Sequence, residues 1–368
     1  MVDLSAVEGR LDPADAGFMR RALHLAARGD GGTAPNPIVG AVIVDAEGVV
    51  VGAGHHARAG GPHAEVVALE AAGPRAQGAT LYCTLEPCSH TNRTGPCAVA
   101  VADAGIARVV VATGDPNPRV SGRGMAYLRA QGVEVTLGVG RAEAVEQNAP
   151  FFSVMQRGRP WVIAKVAMSL DGKVAAAPGV RTAISGAEAR RWTQRLRGRV
   201  DAIAVGAGTL LVDDPLLTAR DVVRHRPLTR VVFDRRLRTP ASARLFTTLA
   251  DGPVVIVTAD ERVQSAEADA LAAAGATLVG ADGSMRDALA RLVACDVLTL
   301  LVEGGPVVHA ALWAEELVDH LVEIVADTTL GPAGVPSGIP TASPCQHARR
   351  LETLGHDVLL EGHVHWTR

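Results

Sequence analysis

Residues 63–65 read His-Ala-Glu, Glu86-Pro87 leads into Cys88, and eight residues separate Cys88 from Cys97. The set supplies one imidazole, two potential thiolates and one carboxylate. Three N/S ligands leave a tetrahedral Zn²⁺ with one position for water, whose pKa the metal lowers towards neutrality. Glu65 is too close to His63 in sequence to be its natural co-ligand, but it is well placed to shuttle protons between an attacking water and a leaving amine. The pattern matches the His-x-Glu…Pro-Cys signature of zinc deaminases, except that those usually separate their cysteines by two residues. Structural zinc or buried thiols are the competing readings. A structural site calls for four ligands, and the nearest spare, Cys83, lies in the apolar run 80–84, where strand alternation would bury it. The residues therefore point to catalytic zinc on His63, Cys88 and Cys97, with Glu65 as the proton-transfer group.

The chain of 368 residues is 48% hydrophobic and 20% charged, the composition of a soluble globular protein with room for two domains. A net charge of -3 gives no polyelectrolyte attraction to nucleic acid, and four Trp, two Tyr and five Phe offer few stacking platforms for bases. A small-molecule substrate is expected, with no nucleic-acid or membrane partner. Five cysteines fit metal ligation in a reducing compartment better than a disulfide framework, and Cys295 and Cys345 read as bystanders. No apolar stretch reaches transmembrane length and no secretory pattern opens the chain, so a cytoplasmic protein is expected.

These residues need a frame. Asp12-Pro13 reads as an N-cap and first-turn proline, and Phe18, Ala22, Leu25 and Ala26 recur at helical spacing. Two β-rich runs, 38–44 and 49–54, flank the turn Asp45-Ala46-Glu47-Gly48 and predict a hairpin. A helix from about His63, a strand over 80–84, a helix over 96–104, a strand over 108–112, a helix over 125–130 and a strand over 134–137 complete an αββαβαβαβ order. That order implies a sheet covered by helices, with both ligand clusters at helix N-termini, where the dipole favours thiolate. Residues 148–160 read as a connector. A second α/β alternation then runs through strands at 161–167, 202–206, 230–233, 254–258 and 297–302. Ser185-x-x-Glu188 predicts a capping box, with Ala189, Trp192 and Leu196 on one helix face. His363 and His365 alternate along a strand-like run and need not be ligands.

With these motifs in place, the chain resembles the bifunctional deaminase-reductases of riboflavin biosynthesis over nearly its whole length. The resemblance rests on Pro35-Asn36-Pro37-x-Val39-Gly40, Gly52-x-Gly54-x-His56, His63-Ala64-Glu65, Thr84-Leu85-Glu86-Pro87-Cys88-Ser89-His90, Gly95-Pro96-Cys97 and Asp115-Pro116-Asn117-Pro118, in that family's order. The wide cysteine spacing is that family's own. The resemblance implies a cytidine-deaminase-like αβα domain over 1–150 and a dihydrofolate-reductase-like α/β domain over 151–368. The implied substrate is a diaminopyrimidinone ribotide, deaminated with Zn²⁺ before NADPH reduces its ribosyl unit to ribityl. By position, Asn36, His56, His90 and Asn117 resemble the base- and ribose-binding groups, and Arg93 the phosphate contact. Taken alone, Asn36 also reads as a turn residue between prolines and Arg93 as a solvated loop charge.

Lys165-x-x-x-Ser169-Leu170-Asp171-Gly172, Gly206-x-Gly208-Thr209, Asp213-Asp214-Pro215-x-Leu217-Thr218-x-Arg220 and Glu303-Gly304-Gly305-Pro306 resemble the reductase motifs, each unspecific by itself. They imply that Thr209, Asp213, Gly305, Pro306, Val307 and Val308 line NADPH, and that Lys165, Arg197, Leu217, Arg220 and Glu303 hold substrate. The alternatives are a capped turn at Asp213-Asp214-Pro215 and a solvated helix face for the arginines from Arg190 to Arg197. The glycine pairs follow expected strands but are not a G-x-G-x-x-G fingerprint. One departure stands out: where family members commonly carry a tryptophan, two residues before Ser185, this chain has Ala183. That substitution motivates an alternative in which the second domain is a degenerate reductase and only the deaminase works. A zinc-stabilised nucleotide- or nucleic-acid-binding module is the rival outside enzymes. A homo-oligomer is implied by the resemblance alone.

Overall fold

The computed structural model describes residues 12–89, 95–118, 120–340 and 346–366. It divides into two compact units, Met1–Arg157 and Gly158–Arg368.

In the first unit Asp12 Oδ1 accepts the Ala14 N–H at 2.9 Å and Pro13 occupies the first turn of α1 (Pro13–Ala26), as expected. β1 (Gly40–Val44) and β2 (Val50–His55) form the expected hairpin. Then come α2 (Ala64–Ala72), β3 (Thr80–Cys83), α3 (Cys97–Asp103), β4 (Arg108–Val111), α4 (Arg123–Ala130), β5 (Glu134–Leu137), α5 (Arg141–Gln147) and α6 (Ala149–Arg157). The strands lie in the order β2-β1-β3-β4-β5, with β1 antiparallel to both neighbours and β3, β4 and β5 parallel. Strand alternation sends Ile43, Leu81, Val109 and Val111 to one buried face, with residues of α2, α3 and α4, and Val42, Tyr82 and Val110 to the other, with residues of α1 and α5. The result is an αβα sandwich. Gly52 and Gly54 let α2 lie close on β2, because a Cβ there would sit 2.2 Å from Ala68 O and 2.7 Å from Ala64 O.

The stretch expected as a connector is mostly helix. Asn148-Ala149-Pro150 carries the polar residue and early proline of a helix start, and α6 buries Phe151 and Phe152 beside Leu85 and Val39. The expected boundary between 150 and 151 falls inside α6; the units divide after it.

The second unit contains β6 (Trp161–Ser169), β7 (Lys173–Ala175), α7 (Ala187–Arg199), β8 (Ala202–Gly206), α8 (Ala207–Asp213), β9 (Thr229–Phe233), β10 (Val254–Ala259), α9 (Ala266–Ala273), β11 (Ala276–Ala281), α10 (Met285–Leu292), β12 (Thr299–Val302), α11 (Pro306–Ala314), β13 (His320–Ala326), β14 (Val335–Pro336), β15 (Gln346–Leu354) and β16 (Asp357–Val364). Its nine-stranded sheet runs β11-β10-β9-β8-β12-β6-β13-β16-β15, parallel from β11 to β13 and antiparallel at β16 and β15. Long apolar strands such as Val254–Ala259, buried throughout, fit a sheet covered on both faces. The capping box does not form: the N-cap of α7 is Gly186, whose N–H is taken by Asp357 Oδ2 at 2.7 Å, and Glu188 pairs with Arg191 instead. A carboxylate reaching across the fold has displaced the local cap. His363 stacks edge-on between Trp161 and His320.

Candidate active sites

His63 is the N-cap residue of α2, Glu65 lies in that helix's first turn, and Cys97 opens α3. Cys88 sits in the loop after β3, and its Sγ accepts the Cys97 N–H at 3.3 Å. His63 Nδ1 lies 3.1 Å from Cys97 Sγ and 3.6 Å from Cys88 Sγ. All three ligand atoms fall within 4.8 Å of one another. A tetrahedral Zn²⁺ with bonds of ~2.0 Å to nitrogen and ~2.3 Å to sulfur sets an N···S edge of about 3.5 Å, so the cluster fits the ion. The Cys97 and His63 contacts hold Cys88 as a thiolate, with its pKa lowered to about 4, while the same thiol contact pushes Cys97 up. Hydrogen bonding to Cys88 raises His63. A cation entering the cluster would displace the proton these groups share.

Glu65 is buried, and that burial pushes its carboxyl up to about 7. With His63 and Cys88 it lines a cavity of about 770 Å³, within the range of small-molecule sites. Asn36, His56 and Asn117 line the same cavity, so three of the five expected ribotide contacts meet there. The other two, His90 and Arg93, lie outside the described residues.

Chemistry separates the roles of Asn36 and His56. His56 Nδ1 lies 3.0 Å from Pro62 O, which can only accept, so Nδ1 carries the proton. Burial lowers the His56 pKa and keeps the ring neutral, so Nε2 accepts from Asn36 Nδ2 at 3.2 Å. The imidazole thus fixes which way the Asn36 amide points, leaving its Oδ1 and second N–H for a ligand. His56 acts here as a support for Asn36 more than as a separate contact.

Sequence reasoning missed several members of this site. Asn148 clamps the Ile38 backbone on both sides, accepting from its N–H and donating to its carbonyl at 2.9 Å, and so steadies the Asn36 turn. Phe151 and Met155 of α6 supply apolar wall, and their helical spacing after Pro150 was the available signal. Asp115 also lines the cavity; burial raises its pKa to about 6, and its Oδ1 accepts the Asn117 N–H at 2.7 Å.

The second unit gathers its polar groups at the ends of β8 and β12, which pair in parallel. Gly206 N donates to Gly304 O at 2.9 Å, and Thr209 Oγ1 lies 2.7 Å from where a Cβ of Gly305 would stand. Thr209 and the start of α11 are thereby brought together. Val307 is exposed; Val308 packs into the core and gives its N–H to Gly305 O, so its side chain is not available to a cofactor. Asp213 closes α8, with Arg181 at 4.0 Å.

Arg197 and Glu303 form a two-pronged pair at 2.7 and 2.9 Å, and Arg197 Nη1 also donates to Thr218 O. Burial pushes Glu303 up, but Arg197 and Lys165 hold it down to about 2. Lys165 is buried, which lowers its pKa. Leu217 adopts φ of 55° and its side chain packs in the core. Arg220 is exposed, its backbone N–H held by Gln194.

A cluster of one imidazole and two thiols beside a buried carboxylate, at a cavity in an αβα sandwich, defines a zinc-dependent base deaminase. Residues 13–113 match the cytidine and deoxycytidylate deaminase zinc-binding region, and residues 160–360 match the RibD C-terminal domain. Riboflavin biosynthesis protein RibD of Aquifex aeolicus is 39% identical, over 94% of this chain and 97% of its own; that of Escherichia coli is 38% identical, over 86% and 89%. RibD from Acinetobacter baumannii superposes with a TM-score of 0.85 at 34% identity, covering 96% of this chain and 99% of its own. A Thermotoga maritima structure gives 0.83 at 32% identity, covering 95% and 99%. The chain belongs to the RibD family. It carries that family's zinc-binding deaminase domain and its dihydrofolate-reductase-like domain, and is a bifunctional deaminase and reductase of riboflavin biosynthesis. Nothing favours a degenerate second domain. No described helix is long and apolar enough to cross a membrane.

Proposed function

We propose that the first unit hydrolytically deaminates a diaminopyrimidinone ribotide using Zn²⁺ on His63, Cys88 and Cys97, and that the second reduces the product's ribosyl group to ribityl with NADPH. The Thermotoga maritima relative is described as a diaminohydroxyphosphoribosylaminopyrimidine deaminase and 5-amino-6-(5-phosphoribosylamino)uracil reductase. The observation that carries the first half is the cluster of three ligand atoms, two of whose residues, His63 and Cys88, line one cavity with Glu65.

When bound, Zn²⁺ would supply Lewis acidity and lower the pKa of water. Glu65 takes a proton from the attacking water and passes it to the ring nitrogen, then takes the proton of the carbon-bound hydroxyl and passes it to the departing amine. The water oxygen bonds to the amino-bearing carbon, the C–N bond breaks and ammonia leaves. Burial, which raises the Glu65 carboxyl above the usual carboxylate range, favours its taking up a proton and returning it. Asn36, held by His56, and Asn117 orient the pyrimidine and ribose, while His90 and Arg93 keep the base and phosphate roles the resemblance gives them.

In the second unit bound NADPH would supply the hydride equivalent for reduction at C1′ of the open-chain imine, whose nitrogen would take up a proton. Lys165 polarises that imine, while Arg197, Leu217, Arg220 and Glu303 hold the sugar phosphate, with exposed Arg220 gripping the phosphate and Arg197 acting mainly through Glu303. Thr209, Asp213, Gly305, Pro306, Val307 and Val308 form the stretch that lines the cofactor, with Val308 anchoring the start of α11 in the core. The protein works in the cytoplasm as a homo-oligomer.

The test is a mass-resolved product assay of zinc-loaded protein on the ribotide, with and without NADPH. Ammonia release without cofactor, and a ribityl product only with it, is the expected result. Deamination without reduction would remove the second half of the proposal; no reaction would remove both.

A further inference from the structure

Glu86 is 3% exposed and its carboxylate is taken up by backbone alone in the bonds described here. Oε2 accepts from Asp115 N at 3.3 Å and Gly122 N at 2.9 Å; Oε1 accepts from Gly124 N at 3.0 Å and Met125 N at 3.3 Å. One oxygen therefore pins both ends of the segment 115–122, and the other caps α4, whose N-cap residue Gly122 has no side chain to do so. That segment carries Asp115, Asn117 and Val120, all of which line the deaminase cavity. The chain is also pressed tight here: a Cβ on Gly124 would stand 1.9 Å from Pro87 O, between Glu86 and Cys88.

We infer that Glu86 is a positioning residue for deamination, holding the wall 115–122 against the ribotide so that Asn117 meets it in register. The chain of contacts is continuous: Glu86 Oε2 fixes Asp115 N, and Asp115 Oδ1 fixes Asn117 N. Glu86 lies two residues before Cys88, yet its bonds go to the wall and to the start of α4. The role therefore belongs to substrate binding rather than metal binding. It rests on the deaminase reading above.

Glu86→Gln keeps the shape but replaces one acceptor oxygen with a donor, leaving two of the four N–H groups facing an NH₂. Three readouts test it. The deaminase KM for the ribotide should rise about tenfold with kcat nearly unchanged, at full zinc content. On an Asn117→Ala background the same change should add little, because both act through one wall. Hydrogen exchange of ligand-free protein should quicken across 115–125 and stay unchanged in β3 and β4. Reduction of the deaminated product serves as the internal control and should be unaffected. A fall in kcat at constant KM, loss of zinc, additive substitutions, or unchanged exchange at 115–125 would each overturn the inference. If Glu86→Gln does not fold, Glu86→Asp keeps the charge on a shorter arm and should show the same KM rise to a smaller extent; an unaltered KM there overturns it as well. Wild-type protein run alongside separates the two readings: its failure to deaminate would sink both, whereas normal wild-type turnover with an unaltered variant sinks only this one.

Discussion

The first unit builds its site from neighbouring strand ends, with His63 and Cys97 separated by 34 residues; the second joins Arg197 to Glu303 across 106. The first places ligands where α2 and α3 begin, so local motifs carry the whole donor set. The second depends on β8 and β12 lying side by side, a pairing that no local motif encodes. Chemistry held in short segments is legible from spacing; chemistry assembled by long-range strand pairing is legible only in fragments.

The largest expected effect breaks the two halves apart. Glu65→Gln removes the group that carries the proton in the first site while leaving all three ligand atoms in place. Deamination should fall on the order of 10³-fold, the scale of lost general acid-base catalysis, with zinc content and reduction unchanged. Zinc loss measured by atomic emission would count against the assigned role of Glu65.

A smaller but reciprocal effect is expected in the second unit. Glu303→Gln weakens the partner of a buried Arg197 and removes the charge that faces Lys165. Reductase kcat/KM should drop about 10²-fold, in keeping with ~3 kcal/mol for breaking a buried charged pair, and deamination should hold. Equal losses in both activities would show that the pair supports folding rather than the reductase site.

The same contrast explains what the sequence disclosed. The αββαβαβαβ order, the hairpin at Asp45 and the cluster of His63, Cys88 and Cys97 that could hold a metal all follow from local signals: period-two alternation, turn residues and motif spacing. The cap of α7 was misread because Asp357 arrives from β16 to take the Gly186 N–H in place of a local side chain. The connector expected over 148–160 is instead helix α6, because Pro150 falls in its first turn and Phe151 and Phe152 bury beside Leu85. Leu217 and Val308 were expected as ligand contacts, but packing commits their side chains to the core. The support of Asn36 by His56 follows from Pro62 O, a backbone atom no motif announces.

Each unit also contains an ion pair away from its chemistry, and these pairs sharpen the comparison at the level of stability. Arg108 grips Asp15 at 2.9 and 2.8 Å, joined by Tyr82, while Arg159 grips Asp319 at 2.6 and 2.9 Å. Hydrogen bonding from Arg108 lowers the Asp15 pKa. A carboxyl with a depressed folded pKa contributes stability that is present above its unfolded value and lost as pH falls through the folded one. Asp15→Asn should therefore cost about 2 kcal/mol at neutral pH, less than a fully buried pair because Arg108 keeps 26% side-chain exposure. The deficit should shrink as acid protonates the wild type. Heat inactivation of the deaminase, followed against pH, reads this directly, and reductase inactivation should not follow it.

The smallest effect concerns Ala183, where the family resemblance implies a tryptophan. Ala183 is exposed, and the neighbouring Thr182 Oγ1 accepts the Ala176 N–H at 2.9 Å, so the segment is held without an aromatic anchor. Ala183→Trp thus has room to be accommodated, and any gain must come from contact with the cofactor rather than from repair of the fold. Stacking of this kind contributes ~0.5–1.5 kcal/mol, which corresponds to a fall of about three- to tenfold in KM for NADPH at unchanged kcat. An unaltered KM would mean that cofactor binding in this chain is already complete through the residues at the ends of β8 and β12. A rise in thermal stability without a change in KM would instead assign the aromatic position to packing, and the difference between the two units would then lie in how they are built rather than in what they bind.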